Sequence, residues 1–235
     1  MRPRVVLLHA YPLDCRMWAD VKRTLEGAGY AVSAPDLPGP EAEPALGAWA
    51  ERVLRMVDGP LVPAGTSMGG YLAFELWRRA RERIAGLALV GTRAAGETPE
   101  SRRGRDETIK LLEDEGVPAL WARLGPNLFS PDAAPDVVSR AREIALEQGT
   151  TRVTAAVAAI RDRPDSTALL PEIDVPVLVV AGEDDAIVPP AEAEAMAATL
   201  ANVRLVRIPN AGHLVALERP DEVARELLAF LARLD

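Results

Sequence analysis

Hydrophobic positions along the chain fall into two alternating kinds of segment. Short, mostly apolar or β-branched runs lie between Gly, Pro and polar residues: Val5–His9, Ala31–Ala34, Leu61–Ala64, Ile84–Val90, Val175–Ala181 and Val203–Ile208, the last with Arg204 and Arg207 inside it. Runs of this kind predict strands, with Val5–His9 and Ile84–Val90 read as buried on both faces, as in a parallel sheet. Between them, apolar residues recur at spacings of three and four. Trp18, Val21, Leu25 and Ala28 predict a helix that Gly27 and Gly29 end, and Trp49, Val53 and Met56 or Val57 mark one face of a helix over 46–57. Further helices are expected over 70–80, 191–200 and 220–234. Strand and helix in alternation predict an α/β domain, a parallel sheet with helices on both faces. Because four residues precede Val5, we expect six strands, all parallel, with no antiparallel strand at the start.

The alternation stops from Thr92 to about Leu170. Helical patterns follow one another there without strands: 99–115, with Thr98 as a possible N-cap and Gly116 as a stop, then 118–124, 135–148 and 151–160. This divides the chain into a core, 1–92 and 171–235, and a helical cap, 93–170. The cap leaves and re-enters at the carboxyl ends of strands, the edge where open α/β sheets bind ligands, so it is expected to act as a lid.

Composition narrows the classes. A chain of 235 residues with 49 % hydrophobic residues fits one domain with a sizeable core. Its net charge of −8 argues against nucleic acid as partner, and no stretch is long enough to span a bilayer. Arg2 and Arg4 before Val5–Leu8 faintly resemble a signal peptide, but the apolar run is too short and no small-residue cleavage site follows. Cys15 is the one cysteine, so the chain reads as reduced and cytoplasmic. With His9 and His213 the only histidines, a histidine-based zinc site is not expected, and neither metal nor cofactor is called for.

The chemistry centres on Gly65-Thr66-Ser67-Met68-Gly69-Gly70, between an apolar strand and a helical pattern. G-x-S-x-G in that context describes a nucleophile elbow: small residues let strand and helix pass closely, and the turn lifts the serine hydroxyl above the sheet edge. A phosphate loop would need a Gly-Lys-Ser/Thr ending, and a dinucleotide fingerprint a different glycine spacing. The residue after the nucleophile, Met68, would offer one backbone N–H to an oxyanion. Two other strand ends carry partners: Gly182-Glu183-Asp184-Asp185, and Pro209-Asn210-Ala211-Gly212-His213. Serine, carboxylate and histidine in that order suit nucleophilic catalysis, with His213 as base, since an ordinary histidine titrates near neutrality. Asp184 and Asp185 compete as the acid; the other would face solvent or cap a turn. His9 reads as structural, bonding loop backbone, and Cys15 as a small packed residue.

The elbow, the Gly-Glu-Asp-Asp-x-x-Val-Pro segment over 182–189, and Ala211-Gly212-His213 followed by Glu218-Arg219-Pro220 together resemble the α/β-hydrolase superfamily. The likeness covers nearly the whole chain and is nearest in feel to the esterase, 3-oxoadipate enol-lactonase and haloperoxidase-like group. It implies the α/β-hydrolase fold, no cofactor, and a triad of Ser67, Asp185 and His213. It also implies Tyr11 as the second oxyanion donor beside Met68. The chain departs from the family in having His9-Ala10 in place of His-Gly, tolerable only if the backbone there accepts a Cβ. A second departure is Asp36-Leu37-Pro38-Gly39-Pro40 in place of D-x-x-G-x-G. The activity implied is hydrolysis of small esters or lactones through an acyl-enzyme on Ser67. Enol-lactone hydrolysis proper, perhydrolysis, and a non-catalytic small-ligand module are the alternatives. Arg93, just past the strand at Val90, is the first candidate for meeting a substrate carboxylate, and Trp121 is a candidate pocket wall.

Overall fold

A computed structural model describes residues 2–36 and 43–234. The departure expected at Leu37–Pro40 lies outside the described residues. In chain order the core carries β1 (Arg4–Leu8), α1 (Ala19–Gly27), β2 (Val32–Ser33), α2 (Leu46–Met56), β3 (Leu61–Thr66), α3 (Met68–Ala80) and β4 (Leu87–Val90). The insertion supplies α4 (Pro99–Leu124), α5 (Pro135–Leu146) and α6 (Thr150–Arg161). The core resumes with β5 (Val177–Gly182), α7 (Pro190–Thr199), β6 (Val203–Ile208), α8 (Val215–Glu218) and α9 (Pro220–Leu231).

The strands form one six-stranded sheet in the order β2-β1-β3-β4-β5-β6. Every pairing is parallel, as the apolar runs require. Alternate residues go to opposite faces: Val5 and Leu7 join the layer with α1 and α9, and Val6 and Leu8 the layer with α2 and α3. The order reverses between β1 and β3, a topological switch point. Register aligns the strand ends there: Leu8 faces Gly65, Thr66 faces Val90, Val90 faces Val180, and Gly182 faces Ile208. The loops that follow, bearing Tyr11, Ser67, Asp185 and His213, therefore emerge along one edge.

No strand occurs between β4 and β5 among the described residues. Thr98 caps α4 by accepting the Ser101 N–H at 3.1 Å. Gly116, at φ 77° and ψ −173°, breaks α4 where the sequence places a stop, and Pro118 lies just beyond. The insertion's far end is tied to α3: Arg78 donates to Asp165 O at 2.7 Å and to Ser166 Oγ at 2.9 Å.

Glycines at the end of β3 and the start of α3 admit a close approach of backbone to backbone. A Cβ on Gly69 would stand 2.1 Å from Leu8 O of β1, and one on Gly65 2.1 Å from Gly69 O. Gly104, inside α4, has nothing within 4 Å of such a Cβ. Gly69→Ala should therefore destabilise the fold by roughly 2 kcal/mol or more. Gly104→Ala should stabilise it by roughly 0.5–1 kcal/mol, through helix propensity. Denaturant unfolding of both variants measures the contrast; equal effects would contradict the packing described.

Candidate active site

Ser67 joins β3 to α3 at φ 53° and ψ −112°, one of two non-glycine residues with positive φ among those described. Such a conformation costs a serine of order 1–3 kcal/mol and persists only where the surroundings hold it. Here the Ser67 N–H donates to Val90 O at 2.9 Å, and Ser67 O accepts from the Thr92 hydroxyl at 2.8 Å. Thr92 is buried and had no signal in the sequence beyond its place after a strand. The N–H groups of Tyr11 and Met68 are matched to no carbonyl among the described residues. Ala10 has no positive φ, so its Cβ is accommodated in place of the glycine of the resembled pattern.

His213 Nδ1 lies 2.9 Å from Asp185 Oδ2, and neither side chain exposes more than 2 % of its surface. Asp185 Oδ1 accepts the N–H groups of Ile187 at 2.9 Å and Val188 at 2.8 Å. Both carboxylate oxygens are thus committed, and a carboxylate that only accepts fixes the imidazole proton on Nδ1, which leaves Nε2 as the basic nitrogen. Geometry separates the two aspartates that sequence left adjacent. Asp184 is exposed and accepts the Ser130 hydroxyl at 2.7 Å.

Ser67 and His213 line the same cavity, a cleft of about 440 Å³ including its solvent-open part. Tyr11, Tyr71, Ile187 and Val188 of the core and Arg105, Leu124, Leu128 and Ile160 of the insertion share its wall, with Arg93 at the junction.

The sequence pattern of the alpha/beta hydrolase family matches residues 5–226. The chain belongs to the α/β-hydrolase family. It is 32 % identical over 240 residues to a pimeloyl-[acyl-carrier protein] methyl ester esterase of Aromatoleum aromaticum, covering 95 % of this chain and 96 % of the relative. Its fold superposes on a thermophilic esterase from Thermogutta terrifontis, solved with malate bound, at a TM-score of 0.93. That pair is 34 % identical, covering 99 % of this chain and 90 % of the other. An enol-lactonase from Burkholderia xenovorans gives a TM-score of 0.85 at 26 % identity, covering 99 % and 92 %.

In this α/β-hydrolase the wall opposite the sheet carries an uneven charge cluster. The Glu97 side chain has no exposed surface and is shared by three guanidiniums. Arg163 bonds it closely, Arg105 Nη2 lies 3.3 Å away and Arg93 Nη2 3.7 Å. Arg163 is itself buried, against Ile160 O, Ala95 O and the face of Tyr71 at 4.1 Å. Burial alone would raise the Glu97 carboxyl. Hydrogen bonds from Ser101 and Arg163 and the charges of Arg105 and Arg163 outweigh it and hold Glu97 down at about 2. One negative charge against three positive leaves a surplus beside Ser67. Arg93 was legible from its position and Arg105 only as one of several cap arginines, with Arg102 and Arg103, that could meet a substrate carboxylate; Glu97 was not, because its burial depends on Arg163, 66 residues away.

A second cluster clamps the insertion to the histidine loop. Glu218, buried at the end of α8, accepts Gly212 N–H through Oε1 and Ser130 N–H through Oε2, each at 2.9 Å. Leu214 N–H donates to Leu128 O at 3.1 Å. A Cβ on Gly212 would strike the backbone of Phe129 at 2.4 Å, so glycine is required before His213. Burial pushes the Glu218 carboxyl up, more than its two N–H bonds draw it down. Glu218 belonged to the segment that carried the family resemblance, but its role was not read there.

Other sequence expectations resolve plainly. Trp121 does not line the Ser67 cavity. It packs against Phe129, with ring centroids 6.3 Å apart, in a separate groove with Pro126 and Pro131. Leu120 and Leu124 point to the Tyr11 side, and Trp121 sits about 100° round the helix from Leu120. His9 is buried, its pKa lowered by burial, with Nδ1 3.0 Å from Ala10 O. Asp14, Cys15 and Asp36 lie close enough to hold a cation. Asp14, however, is engaged by Arg16 and Gln148, and burial beside Asp36 pushes the Cys15 thiol up to about 12.

Glu97→Gln removes the one anion the three arginines share, and should cost about 3 kcal/mol at neutral pH. Because folding lowers the Glu97 pKa from 4.5 to about 2, its contribution is full above pH 4.5 and is lost as pH falls through 2. The stability gap between parent and variant, from unfolding at a series of pH values, should narrow over that window. A gap that widens in acid would contradict the charge assignment.

Proposed function

We propose that the protein is a serine hydrolase cleaving carboxylic esters or lactones of small substrates, through an acyl-enzyme on Ser67. One observation carries the reading: Ser67 on its strained turn and His213, oriented by buried Asp185, face one cavity. In this scheme Ser67 Oγ attacks the carbonyl carbon while His213 Nε2 takes its proton. The carbonyl oxygen, now negative, is held by the Tyr11 and Met68 amides. Collapse expels the alkoxide, which receives the proton from His213. Water then attacks the acyl-enzyme with His213 again as base, and Ser67 is released. Asp185 keeps the proton on Nδ1 and stabilises the imidazolium that forms. No step calls for a cofactor.

The charge surplus at Arg93 and Arg105 favours substrates that bear a carboxylate. A guanidinium pairing such a group in a partly dry cavity supplies about 1.5–3 kcal/mol. The relatives support ester or lactone hydrolysis in kind: one is a methyl ester esterase, one an esterase solved with malate bound, and one an enol-lactonase. We read the helical insertion as the cap that roofs this site.

Ser67→Ala and His213→Ala should each lower kcat by at least ~10³-fold on an ester and lactone panel, and the double variant should be scarcely worse, since the residues act as a unit. Asp185→Asn should do far more harm than Asp184→Asn; equal losses would overturn the acid assignment. The parent should prefer a carboxylate-bearing ester to its neutral analogue in kcat/KM by roughly ten- to a hundredfold. Arg93→Ala should erase most of that preference. If the anionic ester is disfavoured in the parent, the surplus charge does not serve substrate binding and a plain short-chain esterase remains.

A further inference from the structure

A second cavity adjoins the first across Tyr11 and is not used by the chemistry above. It is a cleft of about 300 Å³ including its solvent-open part. Its walls are Tyr11, Leu13, Trp49, Met68, Val153 and Ala156. Two pairs of neighbours show how it relates to the Ser67 cavity. Ser67 lines the first cavity and Met68 the second. On α6, Ile160 faces the first while Val153 and Ala156, at helical spacing, face the second. Tyr11 belongs to both. The two cavities therefore part at the elbow, where the Tyr11 and Met68 amides lie.

Their chemistry differs. The first holds Arg93 and Arg105. In the second, the polar lining groups His9, Gln148 and Arg152 have protein partners: His9 Nδ1 lies 3.0 Å from Ala10 O, Arg152 donates to Gln148 Oε1 at 3.3 Å, and Gln148 Nε2 donates to Asp14 Oδ2 at 2.8 Å and Ile144 O at 3.0 Å, both outside the lining. The rest of the lining is apolar or aromatic. Ala156 is the smallest side chain in its lining. An ester carbonyl bound over the elbow has two substituents, and only one can run toward the arginines.

We propose that the second cavity binds a short hydrocarbon arm of the substrate, on the side of the ester carbonyl opposite the carboxylate. This rests on the ester-hydrolase reading and names its substrate class: small esters with an anionic end and an apolar end. Tyr11 is the partition between the two ends, and Ala156 sets the room for the apolar one.

The test compares two pairs of probes: monomethyl with monobutyl succinate, which lengthens the alcohol arm, and O-acetyl with O-butyryl glycolate, which lengthens the acyl arm. Binding to Ser67→Ala protein is measured by calorimetry, and kcat/KM with the parent enzyme. In one pair the longer member should gain roughly fourfold per added methylene, and the pair that gains tells which arm the cavity takes. Ala156→Phe should bring that ratio close to one, and the milder Ala156→Leu should move it partway; circular dichroism shows whether each variant is folded. If neither pair discriminates in the Ser67→Ala protein, or the ratio survives in folded Ala156→Phe, the proposal is overturned. Discrimination in binding without turnover of any probe by the parent would leave the cavity assignment standing and remove the hydrolase reading. Turnover with no dependence on arm length would do the reverse.

Discussion

The site depends on how closely α3 can approach the strands beneath it. Gly65 and Gly69 leave no room for a side chain between the helix start, β1 and the turn. With that contact made, the chain can leave β3 and enter α3 within one residue, and that residue, Ser67, is forced to positive φ. The strain is held by bonds to β4: Val90 O takes the Ser67 N–H, and Thr92 holds its carbonyl. A looser turn would drop the hydroxyl back toward the sheet. The parallel register then brings the ends of β5 and β6 to the same edge, so that Asp185 and His213 meet within hydrogen-bond distance of each other.

The helical insertion is fastened by polar contacts at several places, and each fastening bears on the site. Ser130 and Leu128 bond to the loop and short helix around His213, through Glu218 and Leu214. Asp165 and Ser166 bond to Arg78 on α3. Between these ties, Glu97 gathers Arg93, Arg105 and Arg163 from three parts of the chain. A single buried carboxylate is enough to hold the arginines in place without neutralising them. The same cluster therefore serves packing and leaves positive charge facing the cavity.

Much of this was legible in the sequence. Fully buried strands read clearly because apolar runs such as Leu61–Ala64 have no other use, and the six parallel strands follow from them. The break in α4 was visible in Gly116 and Pro118, and the elbow in its glycine spacing. What local sequence could not give were contacts between distant segments. Asp184 and Asp185 are chemically alike, and only the bonds to His213 and Ser130 tell them apart. Trp121 looked like a pocket wall, but it packs on Phe129 in a groove apart from the cavity that Leu124 reaches. Arg105 was one of several arginines in a polar helix, distinguished only by Glu97 eight residues earlier. Glu218 could be seen to belong to a motif, yet its partner Ser130 lies 88 positions away.

The most direct measurement of the central claim is covalent labelling with a fluorophosphonate, read by intact mass and by mapping the modified peptide. An activated Ser67 takes up one phosphonate per chain, at Ser67, with labelling absent in Ser67→Ala and strongly slowed in His213→Ala. A label on another residue, or one taken up equally by Ser67→Ala, would contradict the assignment of Ser67 as the nucleophile.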